Sequence, residues 1–212
     1  MISSPDSAPA TIGRVLHWAA GYDVLVWLLT RRSDRAFREQ LVGFAHLAAG
    51  ESVLDIGCGT GTLAIVAKRL VGPSGEVFGI DASPAMIARA TSKAAKAAIG
   101  VSFENAIAEA LPFPDARFDV VLSTLMLHHL PRQARQLCAR EIGRVLKPNG
   151  RVLVVDFARP QRKSGFLARF HRHGHTDPGD VIALLDRAGF RGVESGPVGI
   201  SSLGFVLARR QS

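Results

Sequence analysis

Two strongly apolar stretches open the chain. Residues 12–30 carry Val15, Leu16, Trp18, Val24, Leu25, Trp27 and Leu28 at helical spacing. A second helix is predicted over 33–49, where Phe37, Leu41, Phe44 and Leu47 lie three or four apart and Ser33 is placed to cap. From residue 51 the period changes. Short β-rich runs at 52–56, 76–80, 101–104, 118–123 and 151–156 alternate with helical patterns at 61–71, 83–99 and 131–146. A last helix at 178–188 precedes two short strands at 192–194 and 203–208. Strands alternating with helices predict an α/β domain, a parallel sheet covered on both faces. Gly72-Pro73, Lys147-Pro148-Asn149-Gly150 and Gly189 are stop signals between elements. Residues 1–11 (MISSPDSAPAT) read as a disordered tail, 12–49 as a helical cap or lid, and 50–212 as one domain without internal repeats.

Length and composition narrow the class. A chain of 212 residues fits one domain, and 47% apolar with 21% charged residues excludes a disordered chain, a collagen and a coiled coil. Cys58 and Cys138 are too few for a disulfide scaffold, and Cys58 reads as a small apolar residue in a tight loop. The longest apolar run is broken by His17, Gly21 and Asp23, and Thr30-Arg31-Arg32 follows it instead of a small-residue cleavage site. The expectation is a cytoplasmic, enzyme-sized domain. The net charge of +8 is uneven: residues 1–130 hold 11 basic and 12 acidic residues, residues 131–212 hold 15 and 6. Such an excess can steer an anionic substrate, a nucleic acid or an acidic membrane surface, or simply keep the surface solvated.

The strongest chemical signal is Val53-Leu54-Asp55-Ile56-Gly57-Cys58-Gly59-Thr60-Gly61. An apolar strand ends in an acid, and a glycine-rich turn opens a helix. Glycines there let the backbone approach a ligand, and the helix start offers unpaired N–H groups. The dinucleotide fingerprint is G-x-G-x-x-G, but here the last glycine position is Thr62. An acid before the first glycine suits an ammonium group better than a pyrophosphate. A second apolar strand, Val77-Phe78-Gly79-Ile80, ends in Asp81, placed to accept both hydroxyls of a ribose. Together these predict a nucleoside with a free sugar and a cationic far end.

At these residues the chain resembles the class I S-adenosylmethionine-dependent methyltransferases, and most closely the ubiquinone/menaquinone C-methyltransferase-like, small-molecule subgroup. The resemblance runs from about Tyr22 to the C-terminus. It also rests on Asp81-Ala82-Ser83-Pro84-Ala85-Met86, Ala108-Glu109-Ala110-Leu111-Pro112-Phe113-Pro114-Asp115 with Phe118-Asp119, Leu127-His128-His129-Leu130, Arg144-Val145-Leu146-Lys147-Pro148-Asn149-Gly150-Arg151, and Ala188-Gly189-Phe190. It implies a Rossmann-like sandwich: seven strands, mostly parallel, in order 3-2-1-4-5-7-6 with the last strand antiparallel, and a helical N-terminal cap. It implies S-adenosylmethionine as cofactor and S-adenosylhomocysteine as product. Asp55, Gly57, Gly59, Thr60 and Gly61 would hold the methionine part, and Asp81 the ribose with Ala82 beside it. Met86 would pack near adenine, Ile107 and Ala108 would form the adenine loop, Ser123 and Thr124 would lie beneath the sulfonium, and Tyr22 would close over the cofactor. Ile107 departs from the Asp or Asn of many relatives, so adenine would be read by backbone, for example the Ala108 N–H.

Methyl transfer from a sulfonium is an in-line displacement that mainly needs alignment and exclusion of water. A base is needed only if the acceptor must lose a proton, and His128 and His129 are the candidates. The alternative is that one ring packs and the other bonds backbone. The alternation of His171, His173 and His175 would put all three on one face of a strand, but no nearby acid or Cys completes a metal site, so no metal is expected. Arg159, Arg162 and Arg169 in that segment are candidates for binding an anionic substrate group. The first helix, with Trp18 on its apolar face, would form a lid over an apolar substrate or lie on a membrane surface. The expected partner is a small-molecule methyl acceptor, apolar or partly anionic, acted on by a monomer or homodimer. Two other readings are RNA methylation and a non-catalytic cofactor-binding or membrane-associated module. RNA is disfavoured by sparse aromatics, Phe166 and Phe170, in the basic segment.

Overall fold

The protein is described as a computed structural model covering residues 34–157, 178–199 and 203–211. Trp18 and Tyr22, and the basic segment with Arg159, Arg162, Arg169 and the histidines at 171, 173 and 175, lie outside the described residues. The elements in chain order are α1 (Asp34–Gly43), β1 (Ser52–Ile56), α2 (Thr62–Val71), β2 (Glu76–Asp81), α3 (Pro84–Lys96), β3 (Ser102–Asn105) and β4 (Phe118–Thr124). A 3-10 turn (Leu127–His129), α4 (Arg132–Val145), β5 (Leu146–Phe157), α5 (Pro178–Arg187), β6 (Phe190–Pro197) and β7 (Leu203–Arg210) follow.

One seven-stranded sheet runs β3-β2-β1-β4-β5-β7-β6. The first five strands are parallel, and β7 is antiparallel to both its neighbours. This is the order and polarity that the resemblance implies. The central strands are near-continuous apolar runs because helices bury both their faces. Alternation splits them between two cores. Leu54, Ile56, Val121 and Val154 pack with Ile142 of α4 and Phe190. Val53, Val120, Leu122 and Leu153 pack with Leu63 of α2 and with Leu41 and Val42 of α1. Part of the predicted N-terminal cap thus shares a core with the sheet.

Several boundaries differ from the sequence pattern, and β6, predicted over 192–194, spans Phe190–Pro197. The second predicted helix stops at Gly43 instead of 49. Beyond it Ala45 and His46 make three-residue turns, and His46 takes φ 50°. Arg151 explains the stop: its guanidinium donates to the Ala45 and His46 carbonyls at 2.6 Å each and grips Glu51 with two bonds of 2.7 and 2.8 Å. The helix predicted over 83–99 ends at Lys96, with Ala98 at φ 52°. The Lys147-Pro148-Asn149-Gly150 stop bends β5 without delaying it, since Leu146 already pairs with Phe118 and the register shifts before Val120 meets Arg151.

Arg151 is only 8% exposed, and its removal takes its bonds from the Ala45 and His46 carbonyls and leaves Glu51 with the Ala48 N–H alone. Arg151→Met is expected to lower unfolding stability in urea by about 3 kcal/mol. A loss below about 1 kcal/mol would show that solvent replaces the network.

Candidate active site

The sheet order reverses between β1 and β4, and open α/β sheets bind ligands outside the strand carboxyl ends at such a point. The turn after β1 is built for close approach. Gly57, Gly59 and Gly61 take φ 71°, 53° and 75°, in the left-handed region. A Cβ on Gly57 would sit 2.4 Å from Met126 Cγ, and one on Gly61 would sit 2.6 Å from the Phe103 ring. Both turns and side-chain contacts therefore require glycine.

Asp55 ends β1, 1% exposed, and neither carboxylate oxygen has a hydrogen-bond partner at normal geometry. Burial pushes its carboxyl up to about 7; Arg38 draws it down, Asp81 raises it further, and the Ala64 N–H makes only a small lowering contribution. An orphaned buried carboxylate is costly unless something compensates it. An ammonium group of a ligand is the matching partner. Arg38, from α1, lines a small recess with Gly57, Cys58, Thr60, Thr62, Leu63 and Thr124. Acid and guanidinium together suit the two ends of an amino acid. Lys93 of α3 donates to the Thr60 and Thr62 hydroxyls at 2.7 and 2.9 Å and so ties α3 to the glycine turn and the start of α2.

Asp81 ends β2 and joins the two turns. One oxygen accepts the Gly59 N–H at 3.0 Å and the other the Ser83 N–H at 2.9 Å. Burial raises its carboxyl, and these two bonds oppose the rise. Each oxygen keeps a further lone pair, as a ribose diol requires. Ser83 caps α3 through the Met86 N–H, with Pro84 at the first helical position and Met86 buried behind them. Ala82 follows Asp81, half-buried. The Asp81 carbonyl accepts from Asn105 Nδ2 at 2.8 Å and from the Ala106 N–H at 3.2 Å, which brings the Ile107–Ala108 turn alongside. Arg144 fixes the loop that follows, residues 111–115: it donates to the Leu111 and Phe113 carbonyls and pairs with Glu141 and Asp115, while Glu141 accepts the Leu111 N–H. Asp119, near the start of β4, pairs with Lys147 and accepts the Ser52 N–H.

Ser123 and Thr124 end β4, both buried, and the Ser123 hydroxyl has no partner. Leu125 follows at φ 54°, a strained turn for a branched side chain. It throws the chain into the 3-10 turn that carries both histidines. His128 Nδ1 meets Asp156 Oδ1 at 2.7 Å, and the His128 N–H meets Asp156 Oδ2 at 3.0 Å. The His129 ring lies 3.9 Å from the His128 ring. Neither a purely packed ring nor a ring bonded only to backbone describes His128. Cys58 is buried with its thiol pushed well above the usual range, which fits a packing role.

Three residues of this region were not singled out by the sequence pattern. Arg38 falls three and four positions before Leu41 and Val42, on the buried face of α1, where an arginine is itself a signal. Asp156 makes β5 a third apolar strand ending in an acid. Lys93 carries no sequence signal beyond its place on α3. Among the described residues no cluster of metal-ligating side chains occurs.

A nucleoside with an amino-acid tail and no phosphate fits these groups, and the topology is that of the class I S-adenosylmethionine-dependent methyltransferases. The comparisons agree. Residues 53–150 match a methyltransferase-domain family. Over 159 residues, 74% of the chain, it is 35% identical to the ubiquinone/menaquinone biosynthesis C-methyltransferase UbiE of Marinomonas sp., of which 62% is covered. Among solved structures, a SAM-dependent methyltransferase from Aquifex aeolicus shares the fold with a TM-score of 0.66 at 23% identity, covering 86% of this chain and 96% of that one. The [4+2]-cyclase SpnF does so at 0.69 and 20%, covering 83% and 80%. The chain has the class I methyltransferase fold and is similar to these C-methyltransferases, and it spans about three fifths of the length of the curated relatives it matches.

The raised Asp55 carboxyl fixes a pH dependence. The folded protein favours the protonated form, so this group's contribution to stability is complete below about pH 4 and lost as pH rises through about 7. An ammonium ligand needs the ionised form. Binding of S-adenosylhomocysteine, followed by calorimetry, should therefore tighten about tenfold between pH 6 and pH 8. Asp55→Asn should weaken it and flatten this slope; an unchanged slope in the variant would remove Asp55 from the cofactor's ammonium.

Proposed function

We propose that the protein transfers a methyl group from S-adenosylmethionine to a carbon of a small, quinol-type acceptor. The observation that carries the cofactor reading is the buried Asp55 carboxylate without a partner, beside a glycine turn and a second acid. The acceptor reading is supported by the relatives, which are named as C-methyltransferases of ubiquinone and menaquinone biosynthesis. Apolar groups at the same sheet edge suit such a ring: Leu125, Met126 and Phe157 are all partly buried there. The bound cofactor supplies an already activated methyl on a sulfonium. The chain's task is then to hold the amino-acid end with Asp55 and Arg38 and the ribose with Asp81. It must also present the acceptor in line and exclude water.

Two details refine the rival readings. Of the basic residues in the C-terminal third, Arg144, Lys147, Arg151 and Arg191 are held in ion pairs with acids of this chain, which weakens the case for RNA. No helix among the described residues is long and apolar enough to cross a membrane.

Calorimetry with S-adenosylhomocysteine should give one site, and NAD none. Asp81→Ala should weaken the first by at least about tenfold, the value of one lost hydrogen bond to a charged group. Transfer of labelled methyl to a short-chain prenylated 1,4-naphthoquinol tests the acceptor. NAD binding without S-adenosylhomocysteine binding would overturn the cofactor reading, and absence of transfer would overturn the acceptor reading alone.

A further inference from the structure

The Asp156 carboxylate is only 3% exposed at its side chain, yet it does more than cap a turn. It accepts three N–H groups: the backbone N–H of His128 at 3.0 Å, the backbone N–H of Phe157 at 2.8 Å and the His128 ring at 2.7 Å. A carboxylate only accepts, so the ring nitrogen facing it carries the hydrogen. The network thereby places a hydrogen on Nδ1, so that in the neutral ring the lone pair lies on Nε2. The ring is also clamped. Phe157 packs edge-on at 5.0 Å, His129 lies against it, and the side chain is 13% exposed.

Its place matters as much as its tautomer. Thr124, which lines the recess with Gly57, pairs with Val155, and Asp156 is the next residue along β5. Between Thr124 and His128 stands the strained Leu125, and backbone strain of this kind persists only where the surroundings impose it, often at working sites. A base oriented by a buried acid is the arrangement that activates a weak nucleophile.

We infer that Asp156 is a positioning residue that holds His128 as the general base of the methyl transfer, so that the acceptor is one that gives up a proton. This rests on the methyltransferase reading above. The acceptor's own electron pair forms the new bond to the methyl carbon, and the carbon–sulfur bond breaks with its pair left on sulfur. The acceptor's proton passes to His128 Nε2 and from there to water. Acceptors with a hydroxyl-activated ring carbon or a phenolic oxygen meet this need; a tertiary amine has no proton to give and does not.

The test uses the full chain and the prenylated 1,4-naphthoquinol. Asp156→Asn should lower kcat by at least about a hundredfold. KM and the affinity for S-adenosylhomocysteine should stay within about twofold. Nitrogen-15 NMR should find the His128 ring as Nδ1–H in the wild type and switched to Nε2–H in Asp156→Asn, where the amide can donate to Nδ1. Should that variant fold poorly, His128→Ala decides: its kcat should fall comparably and recover with added imidazole. A fall of less than about fivefold in both variants, or a wild-type ring in the Nε2–H form, would overturn the inference. If the quinol accepts no methyl while S-adenosylhomocysteine still binds, the acceptor reading fails, and the wild-type tautomer alone upholds or overturns the positioning.

Discussion

A single carboxylate joins the parts of the site that come from distant stretches of chain. Asp81 lies at the end of β2, and its two oxygens take the N–H of Gly59 in the first glycine turn and the N–H of Ser83 at the start of α3. Its own carbonyl takes Asn105 and Ala106 from the end of β3. Three strand ends are thus registered on one residue. The sheet supplies their spacing, but it does not by itself fix the turns that leave its edge. The glycine turn has left-handed backbone at three positions and few side chains to hold it, so it depends on such bonds more than a helix or strand would.

The strand order divides the labour across the edge. On the β3-β2-β1 side stand the acids and N–H groups suited to a polar, largely rigid nucleoside. On the β4-β5 side stand Met126, Leu125 and Phe157 with the His128–Asp156 pair, a more apolar setting with one oriented imidazole. The likeness of this fold to that of a [4+2]-cyclase shows that one scaffold hosts different chemistries, so the reaction must be argued from the side chains at that edge.

Much of this was legible in the sequence because the signals are local. An apolar strand, an acid and alternating glycines are adjacent in the chain, and Asp81 repeats the strand-then-acid pattern, so a nucleoside with a free sugar and a cationic far end follows from spacing, while the cofactor's identity and the roles of Met86, Ile107, Ala108, Ser123 and Thr124 came from the resemblance. The seven-strand order came from family resemblance; alternation alone predicts a parallel sheet without its permutation. What escaped was what depends on contacts across the fold. Arg38 reads as one more cation of a basic flank until α1 is packed on the sheet. The His128–Asp156 bond joins residues 28 apart in sequence on neighbouring strand ends, and nothing at either position announces the other. The early end of α1 has the same origin, since the carbonyls just beyond it, those of Ala45 and His46, are taken by Arg151, over a hundred residues away.

The placement of β7 bears on how the protein is made. It sits between β5 and β6, pairing with seven consecutive residues of β5 from Arg151 to Phe157. The ribosome delivers strands in sequence order, so β3, β2, β1, β4 and β5 can assemble while residues 203–210 are still unsynthesised. Throughout that interval β5 presents a long apolar edge with unsatisfied backbone groups, the kind of edge that invites pairing with another chain. Asp156 lies on that edge, opposite Gly204. The strand that carries the acid of the proposed base is therefore among the last to be enclosed, and the nascent chain is most exposed to misassembly where its chemistry is to be built.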